Sequence, residues 1–390
     1  PVPLRVAFRT IGCKLNQCET AQMQQSFLAQ GCRLVDWDDA ADVRVINTCT
    51  VTAKSDRTCR HEIRAAKRAD PGCLMAVTGC YAEVDPEAVQ AIEGVDLVLG
   101  NTEKSRLAQQ VMRLHRAAAA DEGRPGPDGM DGNTVHSGVP SLDEPSDDDV
   151  DAGDDGEFIT HFYGYTRAFL KVQTGCDSRC AYCIIPVARG AARSMPRDQV
   201  VEQVRLLDGR GYREVVLTGI NLGSWGRDVG EAGLAELLRA LLDDTAVGRI
   251  RLSSIEPLEV DDRLLDIIGG AGERVAHHLH LPLQSGTDSV LRRMRRPYTA
   301  AEYLEVAGGI RRRFPEAAIG ADVIVGFPGE TAEDHRSTVE MLREVRPDIV
   351  NVTRFSPRQG TPASLARNQI PGWVAKERSR EITKLRFEIS

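Results

Sequence analysis

No run of eighteen apolar residues occurs in the 390-residue chain, so the sequence offers no membrane-spanning helix. No secretory signal precedes the strand-like opening Pro1-Val-Pro-Leu-Arg-Val-Ala-Phe8, which points to a cytoplasmic protein. No internal repeat appears beyond an alternation of strands and helices. Hydrophobic residues at 42% and charged residues at 27% describe an ordinary soluble protein, long enough for two or three domains. Against these absences stand ten cysteines. In a cytosolic chain that number points to metal binding or catalysis rather than to disulfides.

The net charge of −8 is misleading as a whole. Residues 121–157 carry thirteen acids against the single Arg124, a local charge of −12 that leaves about +4 for the rest. A mildly basic body of that kind can meet a polyanion. The acidic stretch is rich in Gly, Pro, Ser and Asp and too poor in apolar residues to order itself. Residues 116–157 are therefore expected to be a disordered linker, most simply a solvated spacer.

The fold expected is α/β throughout. In residues 1–115, Leu4–Phe8, Val43–Asn47, Leu74–Thr78 and Leu97–Leu99 read as short buried strands. Between them Gln17–Ala29 and Ser55–Ala69 carry helical periodicity, which favours a small doubly wound parallel sheet. From 158 to 390 six further strands alternate with helices: Ala168–Val172, Glu214–Thr218, Ile250–Ser253, His278–Leu281, Ala321–Val325 and Ile349–Thr353. Six βα units suit a partial (β/α)6 barrel, with its active site at the carboxyl ends of the strands. The tail from Val374 reads as a last amphipathic helix.

Cys176-Asp-Ser-Arg-Cys180-Ala-Tyr-Cys183 follows the first of these strands. Three thiolates can hold three irons of a [4Fe–4S] cluster and leave the fourth open to chelate the amino and carboxylate groups of S-adenosylmethionine. A zinc knuckle would need a fourth Cys or His nearby, yet the next histidine, His277, lies 94 residues beyond Cys183. The spacing, with an aromatic residue just before the last cysteine, resembles the signature of the radical S-adenosylmethionine superfamily.

A second set is dispersed. Cys13, Cys49 and Cys80 each follow an N-terminal strand, 36 and 31 residues apart. The carboxyl ends of parallel strands share one edge, so three crossovers would bring these thiols together, and Gly12 and Gly79 permit a close turn around a cluster. Ordinary core thiols remain an alternative. Cys18, Cys32, Cys59 and Cys73 have no matching strand ends and read as packing or surface thiols, Cys18 being the nearest to the set.

Both triads in this order resemble the methylthiotransferase family of radical S-adenosylmethionine enzymes. Several stretches are similar to its bacterial tRNA N6-threonylcarbamoyladenosine branch: Thr10-Ile-Gly-Cys-Lys-Leu-Asn-Gln17, Val45-Ile-Asn-Thr-Cys-Thr-Val-Thr52, Arg167-Ala-Phe-Leu-Lys-Val-Gln-Thr-Gly-Cys176, Cys183-Ile-Ile-Pro-Val-Ala-Arg-Gly190, Leu291-Arg-Arg-Met-Arg-Arg296 and Asp322-Val-Ile-Val-Gly-Phe-Pro-Gly-Glu330. The resemblance implies two [4Fe–4S] clusters. One, on Cys176, Cys180 and Cys183, would cleave S-adenosylmethionine to a 5′-deoxyadenosyl radical that takes hydrogen from carbon 2 of the adenosine at anticodon-loop position 37. The other, on Cys13, Cys49 and Cys80, would carry the methylthio group.

The same resemblance implies contacts to S-adenosylmethionine from Tyr182 inside the cysteine loop and, at strand ends, from Gly219, Asn221, Ser254, Glu256, Gln284 and Gly326. Arg292, Arg293, Arg295 and Arg296 are expected to meet the anticodon stem-loop, because guanidinium forks suit phosphates and the threonyl carboxylate alike. Arg311-Arg312-Arg313 is a second basic run, most simply a solvated face. Expected partners are tRNA, a small-molecule sulfur source and an electron donor, acting on a monomer without a membrane. Sister branches act on isopentenyladenosine in tRNA or on a ribosomal-protein aspartate, and an iron–sulfur RNA-binding or redox-sensing protein is a further possibility. Family members carry an additional C-terminal RNA-binding β-domain, expected to be absent here, and Met195 stands where they more often have a basic residue.

Overall fold

Runs of β-branched and aliphatic residues near the start of the chain pair into a five-stranded, wholly parallel sheet. In the computed structural model, which describes residues 2–122 and 158–389, its strands are β1 (Arg5–Thr10), β2 (Arg33–Val35), β3 (Val43–Thr48), β4 (Leu74–Gly79) and β5 (Leu97–Leu99). Their spatial order is β2-β1-β3-β4-β5, a doubly wound arrangement whose strand order reverses between β1 and β3. Side chains alternate across it as period-two geometry requires. Val43 and Val45 point toward α1 (Lys14–Ala29) and later α5 (Leu107–Glu122), packing with Phe27 and Leu107. Ile46, Met75 and Val77 point the other way, onto Ile63 and Ala66 of α2 (Ala53–Ala69). Each fully buried aliphatic side chain there contributes about 1.5–3 kcal/mol of transfer free energy. Two single-turn helices, α3 (Cys80–Val84) and α4 (Pro86–Gln90), follow β4.

The expected strands and helices of this half are present, each within three residues at its ends. Two features differ from expectation. β2 is only three residues long, too short to leave a periodic trace. α5 runs through Glu122, so the first residues of the expected linker are helical; the alanines at 117–120 favour that state strongly. The remainder of that linker, 123–157, lies outside the described residues.

The second half begins with β6 (Ala168–Lys171), then a hairpin of β7 (Gln173–Thr174) and β8 (Arg193–Ser194) enclosing the short helix α6 (Ile185–Arg189). The hairpin was not expected, since two-residue strands carry no alternation. Five parallel strands follow: β9 (Glu214–Thr218), β10 (Arg249–Leu252), β11 (His278–Gln284), β12 (Ala318–Val325) and β13 (Ile349–Arg354). β6, β9 and β10 form one ladder and β11, β12 and β13 another, joined by the bridges Ile250–Val275 and Ser254–His280. The six main strands thus lie in chain order as an open arc, the partial (β/α)6 barrel the sequence implied.

Helices α7 (Arg197–Gly209), α8 (Leu234–Asp244), α9 (Asp262–Gly270), α10 (Asp288–Met294), α11 (Ala300–Arg313) and α12 (Ala332–Val345) line its outside. Thr299 with Glu302, and Thr331 with Asp334, close capping boxes that start α11 and α12. A final helix, α13 (Gly372–Ile389), lays Ile382 and Leu385 on the core beside the edge strand β13. Among the described residues, no helix is long and apolar enough to cross a membrane.

α1 serves both halves. Met23 and Phe27 pack under the N-terminal sheet, while Cys18 and Ala21 join the barrel core with Phe162 and Phe169. On the opposite flank Arg358 reaches Asp56 of α2 at 2.7 Å and Thr50 at 2.5 Å. The carboxyl edges of the sheet and the barrel are thereby held near one another.

Candidate active site

The base of the barrel's cysteine loop is pinned before any cysteine is reached. Pairing of Thr174 with Arg193 closes the hairpin, and Gly175, at φ +69°, passes so near Ala191 that a β-carbon would collide with its carbonyl. Cys176 N–H then donates to Gly190 O at 3.1 Å, and Cys183 N–H to Cys180 O at 3.1 Å. Ala181 N–H donates to Met294 O, and Ala363 N–H to Ala181 O, each at 2.9 Å, which sews the loop onto α10 and the chain beyond β13.

Burial pushes the Cys183 thiol up to about 12 and raises Cys180 as well, although the nearby Arg296 guanidinium partly reverses the latter. Arg296 donates to Cys180 Sγ at 3.2 Å and contacts the Glu256 carboxylate. Burial also lifts the Glu256 carboxyl above its usual range, against the pull of Arg296. A guanidinium does not give up its proton, so the contact is an ion pair.

The other residues expected around S-adenosylmethionine share the rim with this loop. Gly219 follows β9 so closely that a β-carbon would meet Gln173 Oε1 at 3.0 Å. Gln173 Oε1 in turn accepts from Asn221 N–H at 3.0 Å, while Asn221 Oδ1 is buried without a partner. Ser254 bridges to His280 at the β10–β11 junction, and Gln284 ends β11 with a positive φ of 61°. Tyr182 packs edge-on against Phe327, with ring centroids 6.4 Å apart, so loop packing already occupies one side of it. Gly326 gives its N–H to Glu330 and lies against Ala375 of α13, a packing role that needs no ligand.

The four arginines expected to face RNA are not alike. Arg292 and Arg295 are exposed at the end of α10, and Arg293 bonds Gly329 O at 3.1 Å and pairs with Asp334 at 3.5 Å. Arg296 departs from the expectation: its side chain is 4% exposed and turned inward, because the half-buried Glu256 draws it there. In the second basic run, Arg311 is spent on Asp348 at 2.7 Å and Arg313 on Asp266.

Cys13, Cys49 and Cys80 follow the carboxyl ends of β1, β3 and β4, flanking the point where strand order reverses. Gly12 comes so near the Cys49 side chain that a β-carbon would meet it at 2.9 Å. Asn16 stitches the loops, donating to Ile11 O at 2.8 Å and Thr48 O at 2.9 Å. Thr48 Oγ1 donates to Thr78 O at 2.6 Å and accepts from Tyr81 N–H, which brings in the third loop. The Cys13 thiol donates to Asn16 Oδ1 at 3.6 Å, and Asn101 Nδ2 donates to Cys80 Sγ at 3.7 Å. The other four thiols, Cys18, Cys32, Cys59 and Cys73, are buried in cores.

Among the described residues, no group of three or more His, Cys, Asp or Glu side chains is set to hold a metal ion. The donor sets nevertheless fit cubane clusters, whose cysteines bind separate irons and need not converge on one point. Each set supplies three thiols and an N–H donor to sulfur, from Arg296 in one and Asn101 in the other.

Residues 170–342 match the model of the Radical SAM superfamily, and residues 5–100 match that of Uncharacterized protein family UPF0004. Along 98% of its length the chain is 39% identical to the threonylcarbamoyladenosine tRNA methylthiotransferase MtaB of Aquifex aeolicus, covering 88% of that protein. The chain belongs to the radical S-adenosylmethionine methylthiotransferase family. Within that family it is also 37% identical to MtaB of Bacillus subtilis, covering 99% of this chain and 81% of that one. It is 32% identical to the tRNA-2-methylthio-N(6)-dimethylallyladenosine synthase of Geobacillus kaustophilus, covering 98% and 69%. By fold it resembles the radical S-adenosylmethionine methyltransferase TsrM of Kitasatospora setae, solved with cobalamin and a [4Fe-4S] cluster bound. That match has a TM-score of 0.60 at 17% identity, and covers 93% of this chain and 77% of TsrM.

Sequence reasoning missed the polar residues that hold this methylthiotransferase's two sites together: Asn16, Glu19, Asn101, Lys104 and Arg189. A signal existed for two of them. Asn16 and Glu19 stand three and six positions after Cys13, on one face of α1.

Proposed function

We propose that this protein is a tRNA methylthiotransferase that modifies carbon 2 of N6-threonylcarbamoyladenosine at anticodon-loop position 37. The observation that carries the proposal is the pair of cysteine triads on neighbouring carboxyl edges, each with N–H donation to sulfur. Cys176, Cys180 and Cys183 would hold a [4Fe–4S] cluster, and Cys13, Cys49 and Cys80 a second. Bound there, the clusters would supply the electron that cleaves S-adenosylmethionine and an iron site for sulfur.

The chain's own residues bind and orient. The unpartnered Asn221 Oδ1 is free to accept from the methionyl ammonium, beside the close backbone approach at Gly219. Ser254, Gln284 and Tyr182 would frame the remainder of the cofactor, with Glu256 acting through Arg296 and Gly326 shaping the rim. Arg292 and Arg295, with Arg293 behind them, offer exposed guanidinium groups to the anticodon stem-loop and the threonyl carboxylate. The enzyme would work in the cytoplasm with a small-molecule sulfur source and an electron donor.

Identities of 39% and 37% to threonylcarbamoyladenosine enzymes, against 32% to a dimethylallyladenosine enzyme, favour the first substrate. The 32% relative keeps isopentenyladenosine as the second reading. Nucleoside mass spectrometry of tRNA from a strain lacking the protein tests both. Loss of 2-methylthio-N6-threonylcarbamoyladenosine is the expected result, loss of the isopentenyl counterpart would transfer the proposal to the second substrate, and an unchanged profile would overturn it.

A further inference from the structure

Between the two triads lies a buried group of charges that the reaction chemistry does not call for. Arg189 ends α6, six residues after Cys183, and its side chain is 2% exposed. Its guanidinium spans the boundary between the halves of the molecule. Nη1 donates to Glu19 Oε1 at 2.6 Å, and Nη2 donates to Asn16 Oδ1 at 2.7 Å. Lys104 completes the group from the far side, 2.5 Å from Glu19 Oε2. Burial opposes the charge on Glu19, but Lys104 and Arg189 overcome it and hold the carboxyl well below the usual range.

Arg189, Asn16 and the neighbouring Asn101 each lead to a cysteine within one or two contacts. Asn16 Oδ1, the acceptor for Arg189, also accepts from the Cys13 thiol. Asn101 Nδ2, the donor to Cys80 Sγ, also donates to Ala188 O at 2.5 Å, one residue before Arg189. Gly190, one residue after it, accepts from Cys176 N–H. The segment Ala188-Arg189-Gly190 is thus bonded to the Cys176 loop on one side and to the Cys13 and Cys80 loops on the other. A cavity of about 790 Å³ lies beside Glu19, Lys104 and Arg189, so the fork spans a boundary that is open on one side.

We propose that Arg189 is a positioning residue that sets the separation and orientation of the two cysteine triads, so that the radical site and the sulfur site act on the same atom. The proposal rests on the two-cluster reading given above. Arg189 touches neither cofactor nor substrate in this role. The planar fork matters more than the charge, because only a bidentate group reaches Glu19 and Asn16 together. Removing it leaves Glu19 still paired with Lys104, so the fold keeps a compensated carboxylate.

The test compares wild type, Arg189→Lys and Arg189→Met after cluster reconstitution, and counts 5′-deoxyadenosine released per methylthiolated nucleoside. A misplacement of about 1 Å at a reacting centre costs on the order of 100-fold. Arg189→Met is therefore expected to keep 5′-deoxyadenosine release within about twofold while the methylthiolated product falls about 100-fold. Arg189→Lys, charged but without the fork, should resemble Met rather than wild type. Electron paramagnetic resonance gives a readout independent of turnover: the magnetic interaction between the two reduced clusters should change in both variants. Should Arg189→Met not fold, Arg189→Gln, which keeps a polar head but cannot reach Glu19 and Asn16 together, is held to the same ratio and the same spectra. An unchanged product ratio with unchanged spectra, or full activity in Arg189→Lys, would overturn the proposal. A wild-type protein that methylthiolates no tRNA would instead sink the functional reading on which it rests.

Discussion

The two triads make an instructive pair. Cys176, Cys180 and Cys183 are fixed by eight consecutive residues, closed at the base by a two-strand hairpin and sewn to α10 by backbone hydrogen bonds. Cys13, Cys49 and Cys80 come from three crossovers of a sheet and are brought together by side-chain bonds such as those of Asn16 and Thr48 and by the glycine contacts. The first site is a property of a loop, the second a property of a sheet edge. A local site survives distant change; a distributed site depends on every element that reaches it.

That contrast can be broken at either end. Replacing Cys183 by Ala should lower 5′-deoxyadenosine formation by at least about 1,000-fold, since one step cannot proceed without its electron source. Chromatography of the reaction products checks it, and appreciable residual cleavage would refute the role given to the loop. Cys49→Ala should spare that cleavage but abolish methylthio transfer, with bound iron falling from about eight to about four per chain. Iron and sulfide analysis of the reconstituted protein measures this, and an unchanged iron count would remove Cys49 from the second set.

Arg296→Met sharpens the comparison at the local site. It leaves the half-buried Glu256 without a partner, at a cost of about 1–3 kcal/mol, visible as a lower unfolding temperature in calorimetry. An unshifted temperature would mean that the pair contributes nothing net.

Glu259 tests the barrel rim more gently. Burial lifts its carboxyl from 4.5 to about 7, although Arg227 and a hydrogen bond from Asn221 work against that. A raised carboxyl binds more protons folded than unfolded. Its contribution is therefore fully present below the unfolded value and lost as pH climbs through the folded one, between 4.5 and about 7. Glu259→Gln should flatten stability across that window in urea titrations at stepped pH, and an unaltered slope would locate the titration elsewhere.

The smallest effect concerns RNA. Charge reversal at Arg292 or Arg295 should weaken anticodon stem-loop binding and reduce its salt slope by about one per residue, with reversal at Arg311 as the silent control. Equal effects at all three positions would point to bulk charge rather than to a surface at α10.

Much of the fold was legible because its signals are local. α2 spans Ala53–Ala69, within two residues of the helix its periodicity implied, and β9 spans Glu214–Thr218 as expected. The hairpin β7–β8 was not legible, because two residues cannot show alternation and its partners stand twenty positions apart. Arg296 was misread with its neighbours for a related reason. A run of arginines looks uniform in sequence, while α10 ends at Arg295 in a left-handed turn and the next side chain points inward. The Asn16–Glu19 face was readable in principle, but its partners Arg189 and Lys104 lie 170 and 85 residues from Glu19.

By itself, then, the sequence determined the cysteine spacing, the α/β alternation and the placing of thiols after strands. Those depend on bond lengths and on the periods of helix and strand, which neighbouring residues alone impose. Tertiary structure decided which arginine faces Glu256, which faces Glu19, and which two remain for solvent. A charge removed from water must find its partner wherever the fold places one, and that choice is made across the whole chain at once.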